Sequence, residues 1–162
     1  MVLHPTPGTL KVLPMSDDVG SLLARRFNVG EPVTVTVEKI AEFCKSVGET
    51  NPLFLDPVAA KAGPYGGIIA PPAYAESFRR AAPSEQEASM FPRGGLMAGI
   101  DIEFIQPIRP GDTISTTIEV KETYEKTGRT GTMLFTIIRS TLINQHKQVL
   151  AYIDRRMMNR KR

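Results

Sequence analysis

The chain has one cysteine, no tryptophan and only two histidines in 162 residues, and aromatic residues make up 7% of it. A single thiol, Cys44, cannot form an internal disulfide, which suits a reducing cytoplasm. Its place on the apolar side of a predicted helix marks it as a small core residue rather than a nucleophile. No apolar run approaches the roughly 18 residues that a membrane-crossing helix requires. The N-terminus, MVLHPTPGTLKVLPMSDD, lacks a basic segment followed by an apolar one, so no secretory signal is expected. No His/Cys cluster has metal-ligand spacing and no Gly-rich phosphate loop follows a strand, so neither a metal nor a nucleotide cofactor is expected.

What is present is the balance of a soluble domain: 41% hydrophobic and 23% charged residues over a length that suits one core. The formal charge of +3 is unevenly placed. Residues 154–162, DRRMMNRKR, hold five basic side chains against one acid, and the other 153 residues sum to −1. Basicity confined to the end reads as a solvated tail, not as a nucleic-acid stripe. The expected organisation is an arm over residues 1–24, a single domain over 25–158 and a basic tail over 159–162.

Along the chain, Val33–Val37 alternates β-branched residues and predicts a short strand. Ile40, Phe43, Cys44 and Val47 have the spacing of one buried helical face, which predicts a helix over Glu38–Val47. Thr36 is placed to cap its start, and Gly48 to end it in the left-handed conformation. Asn51-Pro52 is a fixed turn, and Asp56-Pro57 reads as the N-cap and first residue of a short helix ending at Gly63-Pro64.

A second major helix is predicted over Pro71–Ala82, with Tyr74, Ser77, Phe78 and Ala81 on one face and alanines, Ala73 and Ala75 among them, keeping it slim. A polar loop over Pro83–Gly95 follows, and the remainder reads as long antiparallel strands joined by short turns. Arg109-Pro110-Gly111-Asp112 fits a type II turn, with Asp112 a turn residue rather than an acid catalyst. Two helices followed by antiparallel strands, without βαβ alternation, give an α+β class with one helix on the concave side of the sheet.

The stretch Gly48-Glu49-Thr50-Asn51-Pro52-Leu53-Phe54-Leu55-Asp56 resembles the hydratase segment of MaoC-like proteins. These are hot-dog-fold enoyl-thioester hydratases and 3-hydroxyacyl-thioester dehydratases, whose motif is Gly-Asp, any residue, Asn-Pro, an aliphatic, His, any residue, Asp. Pro71-Pro72 falls on the family's His-Gly pair, and Glu103-Phe104 with Pro107–Asp112 resembles its second-strand signature. The resemblance spans roughly residues 30 to 156 and implies a hot-dog fold: an antiparallel sheet wrapped around a central helix, paired as a double hot dog.

The departures bear on chemistry. In the family, Asp and His form a dyad that handles the α-proton and the water, which requires two proton-exchanging groups around the reacting bond. Here Glu49 keeps a carboxylate displaced by one methylene, and Phe54 cannot exchange a proton. Pro72 has no N–H to offer a thioester oxygen, and a family Ser falls at Arg80. His4, in the arm, and His146, in a predicted hairpin turn, read as surface residues.

Ala70-Pro71-Pro72 is similar to the helix start in the FAS1-like dehydratase branch, the N-terminal halves of tandem hot-dog dehydratases and the matching subunits of heterodimeric ones. That resemblance implies a non-catalytic, acyl-accommodating subunit acting on CoA or carrier-protein thioesters, with a catalytic hot-dog partner or an identical chain beside it. The implied site residues are Glu49 as a weak catalytic candidate, and Asn51, Phe54, Tyr65, Pro72 and Tyr74 for substrate contact. Three other readings stay open. The first is a self-sufficient hydratase with Glu49 as sole acid and base, for which the bland alternative is a carboxylate capping local N–H groups. The second is a hot-dog thioesterase using Glu76, whose bland alternative is a surface partner for Arg79 or Arg80. The third is a binding module with no catalytic partner. Tyr65, Tyr74 and Phe78 also fit simple core roles.

Overall fold

The computed structural model describes residues 26–78, 95–129 and 131–160. The predicted arm, the loop over 83–94 and residues 79–82 of the predicted second helix lie outside them, as do Arg79, Arg80 and His4.

Five strands form one antiparallel sheet: β1 (Arg26–Thr34), β2 (Leu96–Phe104), β3 (Thr113–Gly128), β4 (Gly131–Ile143) and β5 (Val149–Arg160). Their spatial order is β1-β3-β4-β5-β2, so β1 and β2 are the edges. The first strand starts earlier than its Val33–Val37 pattern predicted and ends at Thr34. Val35 leaves the strand but is fully buried, its N–H donating to the Asp112 carbonyl at 2.8 Å. β5 runs to Arg160, so Asn159 and Arg160 are strand residues and not part of a tail; Asn159 is buried.

Period-two burial divides the sheet into two faces. Ile114, Thr116, Ile118 and Val120 of β3 point the same way as Thr136, Ile138, Ser140 and Leu142 of β4, and Ala151, Ile153 and Arg155 of β5 join them. Irregularities between Val120 and Glu122, and between Met97 and Gly99, interrupt the register; such bulges bend a sheet.

The helices lie before β2 in the chain. α1 (Val37–Val47) begins where the Thr36 hydroxyl accepts from the Lys39 N–H and ends at Gly48, whose φ of 71° is the left-handed cap. α2 (Pro52–Leu55) is a single turn capped by the Asn51 side chain, and α3 (Pro57–Ala62) is capped by Asp56, which accepts from Val58 and Ala59. The fixed turn at Asn51-Pro52 thus continues into a helical turn of its own.

The predicted helix over Pro71–Ala82 is instead a 3-10 helix over Pro72–Phe78 as far as the described residues reach. Proline at 72 has no N–H and biases Pro71 away from the α conformation, so the chain enters through a tight bond from the Tyr74 N–H to the Pro71 carbonyl, 2.9 Å. Its buried side chains are Tyr74, Ala75 and Phe78, whereas Ser77 and Ala73 are exposed, which corrects the predicted face.

These three residues share one core cluster with Ile40 and Cys44 of α1, Phe54 of α2, Ile114 and Leu142 of the sheet centre, and Leu150, Ala151 and Ile153 of β5. The thiol of Cys44 therefore has the core role expected of it, and burial pushes its pKa up, with the Glu49 charge adding to the shift. This is the α+β hot-dog architecture. Gly111 takes φ 93° in the 109–112 turn, where the Asp112 carboxylate accepts from the Arg109 N–H at 2.7 Å; Asp112 is a turn residue as expected. No helix among the described residues is long and apolar enough to cross a membrane.

Candidate functional site

The loop between α1 and α2 fixes Glu49. Gly48 turns the chain out of the helix, and the Glu49 N–H donates back to the Cys44 carbonyl at 2.8 Å. One carboxylate oxygen of Glu49, Oε1, then accepts from the N–H groups of both Thr50 and Asn51, each at 2.9 Å. Two residues on, the Asn51 Oδ1 accepts from the Leu53 N–H at 3.0 Å and starts α2. Three consecutive backbone donors are thus satisfied by two side chains, which accounts for polar residues at 49 and 51 without any appeal to catalysis.

Phe54 follows on α2 and is 8% exposed, in the core cluster with Tyr74. Tyr74 is 5% exposed between two rings, edge-on to Phe43 at 5.3 Å and to Phe78 at 5.6 Å between centroids. Burial raises its phenol pKa, and the charge of Glu42 adds to the shift. A neutral phenol among aromatic edges shapes an apolar wall rather than exchanging protons.

Tyr65 lies elsewhere. It is 44% exposed at the corner after α3 and does not belong to the core cluster, so the core reading of this residue fails. Pro72 is exposed at the first position of the 3-10 helix. Of the six candidate residues, Phe54 and Tyr74 share one cluster, while Glu49 and Asn51 share the loop that leads to it. His146 is exposed in the β4–β5 turn, where its N–H donates to the Asn144 Oδ1 at 3.0 Å.

An ion pair on the core face was not anticipated. Among the described residues Glu76 pairs inward: both its oxygens accept from Arg155 Nη2, at 2.9 and 3.0 Å, and Arg155 Nη1 donates to the Ser140 hydroxyl at 2.9 Å. Arg155 is only 9% exposed. Its position alternates with Ile153 and Ala151 on the inward face of β5, so an arginine at a core-facing strand position was the available signal. Arg155 joins the 3-10 helix to β4 and β5, which occupies the Glu76 carboxylate structurally.

A family model described as the FAS1-like dehydratase domain region matches residues 21–152. A protein named UPF0336 protein from Streptomyces avermitilis is 36% identical over 105 residues, covering 61% of this chain and 70% of its own length. A MaoC-like dehydratase from Rhodospirillum rubrum superposes with a TM-score of 0.66 at 20% identity, over 86% of this chain and 93% of that one. The ChsH1–ChsH2 complex from Mycobacterium tuberculosis supplies a chain with a TM-score of 0.73 at 18% identity, over 90% and 95%. At these identities the two structures carry the fold alone.

Proposed function

The chain belongs to the FAS1-like dehydratase domain region family, and from that membership we propose that it is the acyl-accommodating, non-catalytic subunit of an enoyl-thioester hydratase or 3-hydroxyacyl-thioester dehydratase. Its substrates are fatty acyl thioesters of CoA or of a carrier protein, handled in the cytoplasm without a cofactor, and a second hot-dog chain supplies the reacting acid and base.

The observation that carries this reading is the pairing of Glu49 with Phe54. One Glu49 oxygen is held by two backbone donors, and the side chain at 54 is a buried ring where the dyad would need an imidazole. Acid–base work on the α-proton and the water needs two exchanging groups, and this loop has one. Pro72 removes a further donor from the start of the 3-10 helix. What remains is apolar packing: Phe54, Tyr74 and Phe78 are buried in one cluster with Phe43 against it, and rings of this kind suit contact with an apolar chain.

A partner is supported by the β2 edge. Leu96, Met97, Ile100, Phe104 and Ile105 are all exposed large apolar residues, gathered on or just after a strand that pairs with β5 only among the described residues. An open edge with apolar side chains is a template for another sheet. The structural similarity to a chain of a two-component complex agrees with that use.

The test is hydration of crotonyl-CoA by the purified chain, followed by loss of enoyl-thioester absorbance. No turnover above the no-protein rate is expected. Steady-state hydration at ordinary enzyme rates, abolished in Glu49→Gln, would instead make Glu49 a self-sufficient base.

A further inference from the structure

The two faces of β2 differ in kind. Ile102 and Phe104 stand opposite Ile153 and Ala151 on the core side, while Asp101 and Glu103 stand opposite Asp154 and Tyr152 on the outer side. Asp101 is bound by Arg156 at 3.0 Å. Glu103 forms no hydrogen bond or ion pair among the described residues; Arg139 feels its charge at longer range but bonds to Asp154. An apolar edge therefore carries two acids on its outer side, and one of them, Glu103, has no bonded cation among the described residues.

We propose that the β2 edge selects against a second copy of this chain and in favour of a hot-dog partner whose facing strand presents Lys or Arg opposite Glu103. The inference rests on the reading that the chain works beside another hot dog, and it names the chemistry of that partner's edge. Side chains on one face of an antiparallel pair meet directly or diagonally. When β2 pairs with its own copy in any same-face register centred between Ile100 and Glu103, Asp101 and Glu103 of one copy fall opposite or diagonal to those of the other. Four carboxylates then share one row, and among the described residues the two Arg156 side chains are the cations bonded to them. Like charges opposite one another destabilise strand pairing, and natural edges use charge in this way to block self-association. A basic partner strand keeps the apolar contacts and gains ion pairs in place of the repulsion.

The chain itself supplies the probe. Full-length wild type, Glu103→Lys and Glu103→Gln are compared by sedimentation velocity and native mass spectrometry, separately and as a wild-type/Glu103→Lys mixture. The mixed pair is expected to associate about three- to tenfold more tightly than wild type with itself. That gap narrows as salt is raised from about 0.05 M to about 0.5 M, and Glu103→Gln self-associates more tightly than wild type. Glu103 is exposed and unbonded, so both variants should fold; if Glu103→Lys does not, the Glu103→Gln comparison decides. A wild-type dimer as tight as the mixed pair and indifferent to salt would overturn the proposal, and so would the absence of association in every sample. Neither result bears on crotonyl-CoA hydration, which asks whether the chain reacts rather than which edge it accepts.

Discussion

Glu49 Oε1 accepts from two successive N–H groups, the geometry of a loop cap rather than of a free base. The distinction is measurable, because an amide oxygen can accept the same two bonds and a methyl group cannot. Glu49→Ala is expected to lower the unfolding free energy by about 1 kcal/mol, near the usual net value of a hydrogen bond. Glu49→Gln should lose less than half as much, and urea titration resolves the two. Equal losses would mean that charge, not the acceptor oxygen, holds the loop. The same reasoning applies to Asn51 and Asp56, whose oxygens cap α2 and α3, so the three polar residues that draw the eye in this stretch all have backbone partners. At this scale the chemistry of the loop and its stability are the same hydrogen bonds.

Among the elements, the 3-10 helix over Pro72–Phe78 is the one whose form the sequence concealed and whose anchorage lies far along the chain. Apolar spacing made a helix legible there, and α1 was legible to within a residue because cap, buried face and Gly48 all agreed. Two things were not legible. Propensity says nothing of how consecutive prolines tighten the first turn, and no local rule connects Glu76 with Arg155, 79 residues away. The candidate site divided in the same manner: Glu49 and Asn51 were readable from turn chemistry, but the core role that an aromatic residue suggests for Tyr65 ignores where the corner points. The Glu76–Arg155 pair has a testable consequence. Glu76→Gln leaves a buried guanidinium without its counter-charge. The expected cost is about 2 kcal/mol, below the range for a fully buried pair because the Glu76 side chain is 34% exposed. Combining Glu76→Leu with Arg155→Met should recover most of the loss. A double-mutant cycle in urea checks this; strictly additive losses would show that the two residues are not coupled.

For the molecule as a whole, the outer face of the sheet is joined by charge where the inner face is joined by packing. Arg26–Glu119 connects β1 to β3, Arg156–Asp101 connects β5 to β2, and Asp154 takes Lys121 of β3 and Arg139 of β4 at once, each at 2.7 Å. Arg139 also lies 4.5 Å from the centre of the Tyr152 ring, which helps hold it in place. Asp154 is the junction, since β3, β4 and β5 meet through one carboxylate. Burial alone would raise its pKa, but hydrogen bonds and charge from Arg139 and Lys121 outweigh that and hold it below the usual carboxylate value. The sign of the pH effect follows. A carboxyl more acidic in the folded state than in the unfolded chain, where it titrates near about 3.9, stabilises the fold fully above that value. The contribution is lost as the pH falls through the folded pKa. Asp154→Asn removes the charge and leaves Lys121 and Arg139 facing each other, so at pH 7 it should cost about 1–2 kcal/mol. Urea unfolding of both proteins at neutral pH and at about pH 5 should give that gap nearly undiminished, and the gap should close as the pH falls below the unfolded value and through the folded one. A difference that persists unchanged into acid would mean that the substitution disturbs packing, and that the strands are not held together through this charge.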